Sequence, residues 1–327
     1  MRRQVVVLLA ADRELEAVSQ KRKARRAHTG TAKKKRSTGS RKDAAGRVHL
    51  TLFRDPKSGR EGVALRKPIF RETWHNEVAT AAANTAHAML HGQVTFERTV
   101  ALAESAMTAM SRLADGLLAR APAGAVACKD RCDHCCYQSV GVTPPEAFAI
   151  AAHLRQNLTP DELAHTAARI SDSHERTRGL SAEERFSPDY PCPLLSAGSC
   201  TIYEVRPLSC RGMNSLDADE CSARLRQPEV RAQFIETGKG GRSFMEPIRG
   251  FHAVSAGLQL ALAELYALDM RPLELTAALQ LLLTGPDTLV NEWLAGGRSL
   301  EAARGGDNSD ATGIQELTGT LAAIEDR

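Results

Sequence analysis

All eight cysteines of the chain fall between Cys128 and Cys221. Four crowd into one short run, Cys128-Lys-Asp-Arg-Cys132-Asp-His-Cys135-Cys136, and the others are Cys192, Cys200, Cys210 and Cys221. Structural cysteines scatter along a chain like other small apolar residues, so this crowding points to chemistry. Three kinds compete. Thiolates ligate zinc and iron–sulfur clusters, and the Cys132-x2-Cys135 unit lets two sulfurs of one turn reach the same ion. Paired thiols in an oxidising compartment form disulfides. The vicinal pair Cys135-Cys136, or the Cys-x2-Cys unit, could carry redox exchange.

Compartment separates these readings. The N-terminal run from Met1 to Ala11 is apolar after its charged start, but short for a signal peptide, and Asp12, Arg13 and Glu14 follow it directly. No apolar stretch is long enough to span a bilayer. The expectation is a cytoplasmic protein with no membrane partner, in which clustered cysteines serve as metal ligands or redox groups. The candidate ligands are Cys128, Cys132, Cys135, Cys136, Cys192, Cys200, Cys210 and Cys221. A closed zinc site takes four ligands and a 4Fe–4S cluster four thiolates, so eight permit two sites, or one site with spare thiols. Adjacent side chains diverge, so Cys135 and Cys136 fit two metals better than one. His134 is a further candidate. Lys129, Arg131, Arg206 and Arg211 are placed to offset thiolate charge. Tyr203 is a candidate for packing or for outer support of the ligands.

The first block resembles the signature of the YkgJ-type cysteine-cluster family, written CxxCxxCC. The second block, Pro191-Cys-Pro-Leu-Leu195 with Ser199-Cys-Thr-Ile-Tyr-Glu-Val-Arg-Pro-Leu-Ser-Cys-Arg211, resembles that family's downstream motif. The first gap here is three residues where the family has two. The resemblance spans roughly residues 124–226 and implies a domain that chelates zinc or iron. A more distant resemblance to the flagellin lysine-N-methylases implies an iron–sulfur centre and S-adenosylmethionine, and tilts the metal towards iron–sulfur.

The elements that must position these blocks read as helices. Hydrophobic residues make up 43% of the 327 and aromatics only 4%, so Ala and Leu must fill the core. Phe96, Val100, Ala103, Met107, Met110, Leu113 and Leu117 recur at three and four, one face of a long helix. Ala81, Ala82, Met89 and Leu90 belong to a preceding one. Thr143-Pro-Pro-Glu146 and Thr159-Pro-Asp-Glu162 are capping boxes, the second opening a helix to about Ser173, and Ser181-Ala-Glu-Glu184 opens a short third. These helices would carry the second block back over the first. Phe251, Val254, Leu258, Ala261, Leu262 and Leu265 form a C-terminal helical face. Another helix is expected from Pro272 to Gly285-Pro286, and a last over Asp287–Leu294. Before the helices, Val48, Leu50 and Leu52 alternate with polar residues, and Asp55-Pro-Lys-Ser-Gly59 is turn chemistry, which reads as a β-ribbon over 47–70.

The expected fold is therefore mainly α, with a small N-terminal β-ribbon and a loop-borne cysteine cluster between helices. Its expected parts are a basic, disordered tail (1–46), the ribbon and long helices (47–122), a cysteine-cluster metal-binding domain (123–230), a helical C-terminal part (231–304) and a loose tail (305–327). Residues 1–45 hold 14 Lys and Arg against 4 Asp and Glu, while the whole chain is only +4. That tail could contact nucleic acid or another acidic partner, or simply be solvated; it has no aromatic residue for base stacking. The Gly238-Lys-Gly-Gly241 turn lacks the phosphate-loop pattern, and neither a nucleophile elbow nor a zinc-protease His pair is present. Three functions fit. One is a protein that chelates zinc or iron in a redox, metal-handling or accessory role. The second is an iron–sulfur enzyme resembling the lysine-N-methylases. The third is a structural-zinc module with a nucleic-acid-binding tail. No residue pattern identifies a reaction.

Overall fold

A computed structural model describes residues 46–237 and 241–304. The basic segment up to residue 45, Gly238 to Gly240 and the stretch from 305 onwards lie outside the described residues, with the expectations placed on them. The described chain is mainly helical with a small N-terminal hairpin.

Three long helices form the scaffold: α1 (Thr73–Leu90), α2 (Phe96–Leu118) and α9 (Met245–Tyr266). The expected stripe of α2 is inside: Ala103, Met107, Met110 and Leu117 are buried, and Phe96, Val100 and Leu113 pack against the core. On α1 the buried face runs through Ala79, Ala83, Ala86 and Leu90, while Ala81 is exposed. Small residues let α1 and α9 approach closely. A Cβ built on Gly257 of α9 would stand 2.1 Å from the carbonyl oxygen of Ala79 and 2.9 Å from the Ala82 Cβ. Backbone cannot move aside as a flexible side chain can. Gly257→Ala is therefore expected to destabilise the fold by about 2 kcal/mol even after the gain in helix propensity, read as a lower melting temperature.

The hairpin pairs β1 (Leu50–Arg54) with β2 (Glu61–Leu65), Leu50 opposite Leu65 and Arg54 opposite Glu61. The Asp55 carboxylate accepts from the Lys57 and Ser58 N–H groups at 2.7 and 2.8 Å and closes the turn. Only one end of the ribbon reaches the core. Leu50 and Val63 are buried, whereas Leu52 and Phe53 are exposed. The ribbon is tied down by Glu264 of α9, whose carboxylate accepts from His49 Nδ1 at 2.7 Å and from the His49 and Leu50 N–H groups at 2.9 and 3.0 Å. Burial alone would push the Glu264 carboxyl up, but these donors outweigh it and hold it below the usual range. A depressed carboxyl contributes stability that is present above its unfolded pKa and lost as pH falls through the folded one. Glu264→Gln is expected to remove about 1–3 kcal/mol at neutral pH and to flatten the acid limb of a stability–pH profile.

All three expected capping boxes form. They open α3 (Pro144–Asn157), α4 (Pro160–Thr177) and α5 (Ala182–Arg185). Helix α4 runs a turn past Ser173, the Thr177 hydroxyl donating to the Ser173 carbonyl at 2.7 Å. The helix expected from Pro272 starts later, as α10 (Leu275–Thr284). Leu273–Glu274 pair instead with Gly141–Val142 as a short antiparallel ladder, and the Glu274 carboxylate caps α10 by accepting from the Ala277 N–H at 2.9 Å. Helix α10 packs on α3 and α4, and α11 (Thr288–Leu294) seals this side with the buried Trp293. No helix among the described residues is long and apolar enough to cross a membrane.

Candidate metal centre

The first cysteine block lies on irregular chain after α2, where residues 118–141 include no buried side chain. Backbone bonds shape it. Arg131 takes a left-handed conformation (φ 62°), and the Cys132 N–H donates to the Lys129 carbonyl at 3.1 Å. Cys135 and Cys136 ride on a single 3₁₀ turn, His134–Tyr137. The Ala127 N–H donates to the Ser215 carbonyl at 2.8 Å, and the Ser215 N–H returns to the Cys128 sulfur at 3.2 Å.

Three further elements bring the second block over this turn. The Cys192 N–H donates to the Cys136 carbonyl at 2.7 Å, a direct stitch between the blocks. A tight hairpin of β4 (Leu195–Ser196) and β5 (Ser199–Cys200) places Cys200 opposite Leu195. Cys210 sits on α6 (Leu208–Gly212), anchored from below by Glu146. Glu146 Oε1 accepts from the Leu208 N–H at 2.8 Å, while Oε2 accepts from the Thr143 N–H and hydroxyl at 2.9 and 2.7 Å. One buried carboxylate thus caps α3 and fixes the turn that holds Cys210. Cys221 lies on α7 (Ala218–Arg226), which packs against the His134–Tyr137 turn.

The thiols of the two blocks act on one another, with Cys135 reaching both. Partial desolvation of its sulfur pushes the Cys128 thiol up, and Cys132, Cys135 and Cys221 push it further, against the Ser215 N–H. Cys210 is raised by burial and then by Cys135, Cys192 and Cys200. Cys192 is pushed up to about 11, chiefly by burial, with Cys200 adding to the effect. The adjacent thiols act on each other: interaction with Cys136 holds the Cys135 thiol below its ordinary range, and Cys136 is raised by Cys135, by burial and by Cys192 and Cys210. All eight cysteines are free. Soft thiol donors in this number suit zinc or iron rather than oxygen-seeking ions.

Positive charge surrounds the sulfurs. Arg206 acts on Cys135 and on Cys200, and Arg211 acts on Cys200, as their sequence positions led us to expect. Arg211 is buried, held by the Ser111 hydroxyl and the Arg206 carbonyl. Tyr203 is 60% exposed and carries the Arg206 guanidinium 4.0 Å above its ring. Lys129 and Arg131 are exposed. Two arginines were not anticipated. Arg224 reaches the Cys221 sulfur at 3.7 Å, and its i+3 position on α7 was a readable signal. Arg185 acts on Cys192 together with Glu274, and neither has a local sequence signal. His134 Nδ1 lies 3.8 Å from Asp133 Oδ1. A cleft of about 680 Å³ is lined by Arg185, Glu274, Leu273, Ser139 and Arg304 among others.

Comparison with curated proteins and with solved structures found no match. Among protein families, residues 127–228, the stretch that holds all eight cysteines, match the CxxCxxCC family, described as a "Putative zinc- or iron-chelating domain".

Proposed function

We propose that the protein chelates zinc or iron in two adjoining four-thiolate centres, one of Cys128, Cys132, Cys135 and Cys221, the other of Cys136, Cys192, Cys200 and Cys210. The observation that carries this reading is the convergence of the two cysteine blocks: the Cys192 N–H donates to the Cys136 carbonyl, the Ser215 N–H donates to the Cys128 sulfur, and α7, which bears Cys221, packs on the Cys135–Cys136 turn. Four thiolates complete a zinc site or ligate a 4Fe–4S cluster, so neither centre needs an outside ligand.

The test is metal and sulfide analysis of anaerobically purified protein, with a visible spectrum, for the wild type, Cys221→Ser and Cys210→Ser. Each variant is expected to lose about half of the bound metal, from a different centre. Equal and complete loss in both would replace two centres by one. Metal-free wild type with eight titratable thiols would sink the reading.

The cleft lined by Arg185 and Glu274, the two groups that act on Cys192, favours a second reading, an iron–sulfur enzyme resembling the lysine-N-methylases. Its volume suits a nucleoside-sized ligand. Titration calorimetry with S-adenosylmethionine checks this; absence of binding leaves the chelating role alone.

A further inference from the structure

Away from the cysteines, three side chains from two elements converge at the C-terminal end of α1. His87 and His91, four residues apart, lie on one face of its last turn. Glu61, the first residue of β2, faces them across the hairpin contact. Glu61 Oε2 is 3.4 Å from His91 Nε2 and 4.0 Å from His87 Nε2, and the three ligand atoms all lie within 4.8 Å of one another. His87 is only 8% exposed, and its Nε2 is buried without a hydrogen-bond partner. The other ring nitrogen, Nδ1, faces the Tyr266 hydroxyl of α9 at 3.4 Å, which turns Nε2 towards Glu61 and His91. A buried, unpartnered imidazole nitrogen is costly unless something completes it.

We infer that Glu61, His87 and His91 form a second kind of metal site, one that takes a divalent ion of the zinc class. Two imidazoles and a carboxylate are an established zinc donor set, leaving a fourth position to water. The negative end of the α1 macrodipole favours a cation here. The ion would clip β2 to α1. This site is independent of the cysteine centres.

The test uses the full chain as purified, titrated with cobalt(II) chloride and, in parallel, zinc chloride. Wild type is expected to take up one further cobalt ion whose spectrum lacks sulfur-to-metal charge transfer, and to melt at a higher temperature when zinc is added. In His91→Ala and Glu61→Gln this binding should weaken roughly tenfold or more. His91 and Glu61 side chains are 63% and 47% exposed, so both variants should melt like wild type in metal-free buffer. A wild type that binds no such ion overturns the inference, as does unchanged binding in the two variants. Cobalt with thiolate charge transfer alone would assign the metal to the cysteines and overturn it as well.

Discussion

Glu146→Ala is expected to destabilise the protein by about 3–5 kcal/mol and to release metal from the centre that contains Cys210, although Glu146 itself touches no sulfur. The carboxylate is buried and accepts from three donors on two elements: the Thr143 N–H and hydroxyl, and the Leu208 N–H. Alanine leaves all three without a partner, away from water. Burial pushes the Glu146 carboxyl up, and these donors, with Arg211 nearby, counter it. The effect on metal follows from the backbone. Leu208 begins the short α6, and two residues later that helix presents Cys210. Glu146→Gln keeps the shape and one acceptor oxygen, so it should retain more of both stability and metal. Chemical denaturation and metal analysis on the same preparations check the pair. Full metal content in a destabilised Glu146→Ala would separate the cap from the centre.

Removing the metal should unfold one part of the chain and leave another. Chelation is expected to abolish hydrogen-exchange protection over about 125–141 and 213–226, while α1, α2 and α9 keep theirs. The first of these segments lies in a stretch without a buried residue, and α7 buries only Leu225. Such segments remove too little apolar surface from water to offset their chain entropy, and on the proposed reading thiolate–metal bonds hold them. Structural zinc contributes on the order of 10 kcal/mol to small modules that lack a core. Helices α1, α2 and α9 have their own core through Leu102, Met107, Met110 and Leu258. Loss of protection throughout would show that the scaffold also depends on the metal; unchanged protection would contradict the centres as structural elements.

What the sequence made legible was local. Thr143 and Glu146, three residues apart, predict their own cap, and the cap is present. The second task of Glu146, at Leu208, spans 62 residues and has no signature along the chain. The stripe of α2 was legible because burial there follows helical period. The ribbon was legible from its alternation and the Asp55–Gly59 turn, though only Leu50 of its apolar β1 residues is covered. Pro272 was a fair helix start by propensity, but the ladder with Gly141–Val142 claimed Leu273–Glu274 first. His87 and His91 stood in view at helical spacing, without the glutamate of a protease motif. The carboxylate that faces them comes from another element, which only the fold brings near.

The grouping of thiols has a consequence for biosynthesis. A ribosome releases Cys128, Cys132, Cys135 and Cys136 early, yet on this grouping the second centre waits for Cys210 and the first for Cys221. At roughly 5–20 residues per second, the nascent chain carries an incomplete set of thiols for several seconds. The vicinal pair is exposed to oxidants and stray ions throughout that interval. Assembly in the cell is therefore expected to depend on how reducing the surroundings of the emerging chain are, and on metal supplied once α7 has cleared the exit tunnel.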